Sequence, residues 1–297
     1  MSVADSPGNP APPGDEAMSP VTVIRARPGW VPLDLREIWA YRELLTMLTR
    51  RDLTTRYKQT ILGVFWAVLQ PVFTMIIFSI LFGKVARFRI PGMEDAYPLF
   101  LFAGLVPWTF FSLALGKASN SLVGNSFLLK KVYFPRFIIP MSSTLAPLVD
   151  LLIAFGVLLG LTFYYGRVPA PAIVYLPFFV MLTYIMALGM GLWLSALNVQ
   201  FRDVQHLIPF ITQILMYGSP IVYSSAVFLD SPWRPLFMMN PLAHAVEGFR
   251  WCLFHGAYAV TYSPDASTVW ASAIAVAILV SGAYVFRRME KTFADIV

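Results

Sequence analysis

ILGVFWAVLQPVFTMIIFSILFG, residues 61–83, runs for 23 positions without a charged side chain. A helix crossing the hydrocarbon core of a bilayer needs about 17–25 consecutive, mostly apolar residues, so this stretch reads as a membrane span. Working outward, five more stretches meet the same requirement: Tyr97 to Leu115, Phe137 to Tyr164, Ala172 to Val199, Leu207 to Phe228 and Thr268 to Phe286. Of 297 residues, 58% are hydrophobic and 13% are charged, against roughly 25% charged in an ordinary soluble domain. The expectation is an all-α integral membrane protein with six transmembrane helices.

Orientation follows from the cations. With the N-terminus in the cytoplasm, sixteen of the 22 lysines and arginines fall in cytoplasmic segments, and the excess of Lys and Arg on that side favours an N-in, C-in arrangement. Residues 1–32 are rich in Pro, Gly, Ser and acid and read as a disordered cytoplasmic tail. They contain no charged region followed by an apolar core, so no cleavable signal peptide is expected. Residues 33–58 form an amphipathic interface helix, 59–290 the six-span domain and 291–297 a second cytoplasmic tail. Cys252 is the only cysteine, and with three scattered histidines it offers neither a disulfide nor a metal-ligand spacing. No GxxxxGK[ST] phosphate loop occurs, so the chain is expected to bind no ATP itself. Nor is a nucleic-acid partner expected.

In the interface helix, Asp34 and Glu37 suit a capping box, and Ile38, Tyr41, Leu45 and Leu48 share one face opposite Arg36, Arg42 and Glu43. Such a helix is expected to lie along the membrane surface. It ends in the basic cluster Arg50, Arg51, Arg56 and Lys58. Two readings are open for these cations: contact with anionic headgroups, or a flank that sets topology.

Between the second and third spans lies GNSFLLKKVYFPRFIIP, residues 124–140. Pro135 breaks the chain before the next span, leaving a short transverse helix over Ser126, Phe127, Leu128, Leu129, Lys130, Lys131, Val132 and Tyr133. Its apolar knobs and two lysines suit either a protein contact or an interfacial connector whose lysines reach to the headgroups. On the outer side, the segment between Phe228 and Thr268 is too long for a turn. Asn240 and Pro241 make a helix start, Leu242, Val246, Phe249 and Leu253 repeat along one face, and Gly256 suits the end, giving a short re-entrant or interfacial helix.

Asp150 is the one carboxylate near the middle of a span, so it is expected to face protein or water. A hydrogen-bonding role in helix packing and a proton relay are both open, with no second buried ionisable residue expected beside it. Trp66, Gln70 and Phe73 share a face of the first span, with Phe65 beside them, and Phe210, Gln213 and Tyr217 share a face of the fifth. Two rings and an amide on one face suit a sugar, which offers hydroxyls at its edge and C–H groups on its faces. They equally suit a packed helix seam.

RDLTTRYKQTILGVFWAVLQPVFTMIIFSILFG (51–83), FAGLVPWTFFS (102–112), NSFLLKKVYFPRFIIP (125–140) and NPLAHAVEGFR (240–250) together resemble the membrane subunit of type-2 ABC exporters for polysaccharides such as O-antigen, capsule and teichoic acid. The likeness covers roughly residues 34–290. It implies a homodimeric permease, not an enzyme, served by two separate ATPase subunits that hold ATP and Mg, and located in a bacterial inner membrane. It makes Ser126 to Tyr133 the ATPase-coupling helix, and the helix carrying Leu242, Val246, Glu247, Phe249, Arg250 and Leu253 an outer gate. The expected substrate is a glycan on a polyprenyl diphosphate, whose phosphates would meet Arg50, Arg51, Arg56 and Lys58, with Phe65, Trp66, Gln70, Phe73, Phe210, Gln213 and Tyr217 lining its path. An exporter of drugs or simple lipids on the same scaffold is the open alternative. A membrane-embedded transferase would need a catalytic cluster, and Asp150, His206, His244 and His255 are dispersed.

Overall fold

The computed structural model describes residues 35–58, 65–87, 90, 92–131, 134–228, 231–255, 262–290 and 293. The expected N-terminal tail, Asp34 of the capping box, residues 61–64 of the first span, Val132, Tyr133 and Gly256 lie outside the described residues. Everything described is helix, turn or connection, without a strand. The chain forms α1 (Leu35–Ala40), α2 (Arg42–Lys58) and α3 (Phe65–Phe78), the last continuing as a π-helical turn, Ser79–Val85. Then come α4 (Tyr97–Gly124), α5 (Ser126–Lys131), α6 (Ile138–Tyr164), α7 (Leu176–Gln200) and α8 (Val204–Tyr217). A five-residue α9 (Arg234–Met238), α10 (Pro241–Phe254) and α11 (Ala266–Met289) complete it.

Among the described residues, five helices are long and apolar enough to cross a membrane: Phe65–Val85, Glu94–Gly124, Ile138–Tyr164, Pro171–Gln200 and Ala266–Met289. The expected span from Leu207 to Phe228 is not one long helix. Its helical part, α8, has 14 residues and is about 21 Å long at ~1.5 Å per residue, short of a hydrocarbon core of about 30 Å. Gly218 ends it, and Pro220 follows two residues later, where a proline cannot supply the amide a continuing helix needs.

The second span differs in the other direction, running nine residues past Leu115 to Gly124. Ser119, Asn120 and Ser121 look like a span's polar end, yet they stay helical because their polar groups are satisfied locally. Ser119 Oγ donates to the Leu115 carbonyl at 2.7 Å, and Ser121 Oγ to that of Ala118 at 2.6 Å. Asn198 Nδ2 of α7 donates to the Ser119 carbonyl and to Asn120 Oδ1, at 3.0 and 3.1 Å. Such pairing lets polar side chains sit between packed membrane helices.

α4 is the axis of the fold, buried along most of its length between α6 and α7. α11 packs on α7 where Gly189 faces Gly282. A Cβ on Gly189 would lie 2.7 Å from the backbone of Leu279, so the helices approach more closely than any side chain permits. In a bilayer, such small-residue contacts drive helix association through van der Waals packing. α3 packs against α4 and α6, α8 packs against α4 and α7, and each leaves its remaining face uncovered.

A second apolar cluster sits at the expected cytoplasmic end. It gathers Ile38 of α1, Leu48 of α2, Leu122 of α4, Leu129 of α5, Phe137 and Ile138 at the start of α6, and Phe286 of α11. Phe293, in the segment assigned on sequence to a tail, is fully buried there against the Phe286 ring.

Candidate functional site

A small open cleft lies between α2, α3, α4 and α6. Trp66 and Gln70 come from α3, Val106, Thr109 and Phe110 from α4, Asp150 and Leu151 from α6, and Arg56 from α2. Arg56 Nη1 stands 2.6 Å from Asp150 Oδ2. The Tyr57 hydroxyl donates to the other carboxylate oxygen at 2.5 Å. Burial, reinforced by the Asp150 carboxylate, holds the Tyr57 phenol above its ordinary value, so it remains a donor.

Asp150 thus has a half-buried ionisable companion, Arg56, that the sequence did not reveal. Its partners lie 94 and 93 positions away in sequence, and a scan of the spans for charge cannot see them. An unpaired carboxylate at this depth is costly, and pairing with a cation plus a hydrogen bond offsets that cost. The pair also locates α2. Asp150 lies twelve residues inside α6, about 18 Å along the helix at ~1.5 Å per residue. α2 packs along α6 rather than standing clear of the spans.

The basic cluster divides in two. Arg50, Arg51 and Lys58 are exposed and Arg56 is half-buried, and Arg51 and Arg56 also make contacts beyond α2. Arg51 Nη2 lies 2.9 Å from Asp52 Oδ1 and donates to Asn125 Oδ1 at 2.8 Å. Lys117 of α4 stands within electrostatic reach of Arg56, Asp52 and Asp150.

Helix α5 occupies Ser126–Lys131. Phe127 is exposed and Leu129 buried, with Leu128 between the two. Its N-terminal end is the turn at Asn125, whose amide bonds the Ser121 and Leu122 carbonyls and closes α4. Beyond it, the Arg136 amide donates to Glu290 Oε1 at 3.3 Å, its guanidinium bonds the Glu290 carbonyl, and Glu290 Oε2 takes Arg287 at 3.1 Å. Arg136, Glu290 and Asn125 were missed on sequence, because a turn residue and a helix-terminal charge carry no signal of their own.

Of the aromatic faces, Trp66 and Gln70 meet the cleft, while Phe65, Phe73, Phe210, Gln213 and Tyr217 are exposed on the uncovered sides of α3 and α8.

α10 forms where Asn240 and Pro241 suggested, with Asn240 Oδ1 accepting the Leu242 amide at 3.0 Å. Leu242, Val246, Phe249 and Leu253 are all buried. Glu247 and Arg250 are buried too and pair at 3.3 Å. The Arg250 guanidinium donates to the carbonyls of Pro220 at 2.5 Å, Ile221 at 2.7 Å and Phe100 at 3.3 Å, and lies 3.5 Å over the Phe100 ring. Gly104 makes room for it, since a Cβ there would lie 2.6 Å from Arg250 Nη2. Glu247 Oε1 accepts the Ser225 amide at 2.8 Å. One guanidinium thus ties α10 to α4 and to the irregular segment after α8, whose bare carbonyls need donors.

The all-helical core carries the short helix α5 near one end of α4 and the buried α10 near the other. Residues 43–254 fit the ABC-2 type transporter family, and the chain belongs to it. Among its relatives, the O-antigen export system permease protein RfbA of Myxococcus xanthus is 30% identical over 266 residues, which cover 88% of this chain and 98% of the relative. The O-antigen export system permease protein RfbA of Klebsiella pneumoniae is 28% identical, over 86% of this chain and 95% of its own. The polysialic acid transport protein KpsM of Escherichia coli is 26% identical over 69% of this chain and 79% of the relative.

Proposed function

We propose that the chain is the membrane permease subunit of an ATP-driven exporter, carrying a polysaccharide on a polyprenyl diphosphate from the cytoplasm across a bacterial inner membrane. The observation that carries this reading is the end-to-end similarity to an O-antigen export permease, spanning 98% of that relative. Two copies of the chain and two separate ATPase subunits form the working unit, and ATP and Mg are held on the ATPases. The chain itself catalyses no reaction.

An N-in, C-in arrangement needs an even number of crossings, so the segment of α8 and the turns after it supplies the sixth beside the five long helices. In this reading α5 seats in the ATPase, with the exposed Phe127 and half-buried Leu128 as its contact, joined by Lys130, Lys131, Val132 and Tyr133. Arg50 and Lys58, which are both exposed, are the first contacts of the lipid diphosphate. The uncovered faces of α3 and α8 turn toward the second copy and line the glycan path, where aromatic faces hold sugars without deep minima. α10 closes the outer end.

The test is ATP hydrolysis by the purified permease–ATPase complex in lipid vesicles. A lipid-linked O-antigen-type glycan should raise the rate in a saturable manner, and a simple phospholipid or a hydrophobic drug should not. Stimulation by the drug or phospholipid alone would replace the glycan with those substrates.

A further inference from the structure

We infer that α2 is a strut that carries displacement of α5 into the membrane and delivers it to the cleft at Asp150. The inference rests on α5 being the ATPase-coupling helix. α5 is held at both ends by helices distant in sequence. Beyond its C-terminal end, Arg136 is fixed to the end of α11 through its amide and guanidinium on Glu290, which Arg287 also holds. At its N-terminal end, Asn125 meets Arg51 of α2 through one 2.8 Å hydrogen bond. Asn125 also closes α4 through its amide and its Nδ2 on the Ser121 carbonyl, so a push on α5 reaches α2 through this turn and its contact with Arg51.

Arg51 is kept in position by Asp52 at 2.9 Å. Five and six residues further along the same helix, Arg56 and Tyr57 hold both oxygens of Asp150. A helix is stiff along its axis, because every peptide unit is tied into the backbone ladder. α2 therefore connects the turn at Asn125 directly to a carboxylate about 18 Å inside α6 at ~1.5 Å per residue, beside Trp66, Gln70 and Thr109. Arg51 and Arg56 thereby serve transmission within the protein, and substrate capture is left to Arg50 and Lys58.

The test uses the permease–ATPase complex in lipid vesicles, with Thr109→Cys in a Cys252→Ser background, and compares thiol labelling with and without ATP. ATP should change the labelling rate several-fold. Asn125→Ala should reduce that change to less than twofold while the ATPase still co-purifies, and Asn125→Asp, which keeps an acceptor for Arg51, should retain it. Asp150→Arg alone should abolish the change, and the exchanged pair Arg56→Asp with Asp150→Arg should restore at least half of it. A wild-type response in Asn125→Ala would overturn the strut. So would an exchanged pair as unresponsive as Asp150→Arg in a complex that Asn125→Asp has shown to respond. Failure of the underlying reading is separate: it would appear as Leu128→Asp retaining its ATPase.

Discussion

Arg56 and Asp150 meet at 2.6 Å although 94 positions separate them, and Tyr57 completes the carboxylate's shell. Removing one member should cost more than removing both. Arg56 keeps 26% of its side-chain exposure, so Asp150→Ala should destabilise by about 3 kcal/mol, the lower end for breaking a buried pair, and Arg56→Met with Asp150→Leu by less than about 1 kcal/mol. Thermal unfolding in detergent measures both. Equal losses would mean that the pair is no more than two separate packing contacts.

The contact surface of α5 should be separable from its anchor. Phe127→Asp with Leu128→Asp places charge on the exposed side and should abolish co-purification of the ATPase while leaving membrane insertion intact. Leu129→Asp, on the buried side, should instead lower the yield of folded protein. Unchanged co-purification in the first variant would remove α5 from the ATPase interface.

On α10, Arg250→Lys keeps the charge and loses the fork that reaches several carbonyls at once. The segment after α8 then has unsatisfied acceptors, and stability should fall by about 2–3 kcal/mol, since hydrogen bonds to charged groups contribute about 1.5–3 kcal/mol each. Glu247→Gln retains an acceptor for the Ser225 amide and should lose less. Equal unfolding temperatures for Arg250→Lys and the unsubstituted protein would contradict the staple.

His244 sets a pH dependence on the same helix. Burial holds its imidazole below the ordinary value of 6.5. Nε2 faces the Met238 carbonyl at 2.8 Å, Nδ1 faces the Tyr262 hydroxyl at 3.1 Å, and Asp265 lies within electrostatic reach. A depressed folded-state value means that the unfolded chain takes the proton first. Stability should therefore be intact above about pH 6.5 and decline as pH falls through that value toward the folded one. His244→Gln should flatten the decline between pH 7 and 5 in a thermal-unfolding series, and an unchanged slope would assign it to other groups.

Element type was legible in the sequence wherever apolar length alone decides it, as in α3, α6, α7 and α11, and the Asn240-Pro241 start of α10 was legible as a cap. What escaped depended on partners distant in the chain. Ser119 and Asn120 fell beyond the expected span end at Leu115, because the α7 side chain that satisfies them within the longer helix lies 78 or more positions on. The stretch from Leu207 to Phe228 has a span's hydropathy, and Gly218 with Pro220 divides it. Arg56 read as one of four surface cations because no local pattern separates a lipid-facing arginine from one that reaches into the next helix. Glu247 and Arg250 were placed on the right helix, but their burial and mutual pairing became visible only with the segment from Pro220 to Ser225 packed over them.

The central proposal, a glycan path lined by α3 and α8, is tested most directly by thiol accessibility. Single cysteines at positions 66, 70, 73, 213 and 217 in a Cys252-free protein, assembled with the ATPase, are treated with a membrane-impermeant reagent. The expected result is labelling during ATP turnover that a lipid-linked glycan trapped in the complex protects against at positions on both helices. Labelling indifferent to nucleotide and to glycan would make these faces packing surfaces and contradict the conduit.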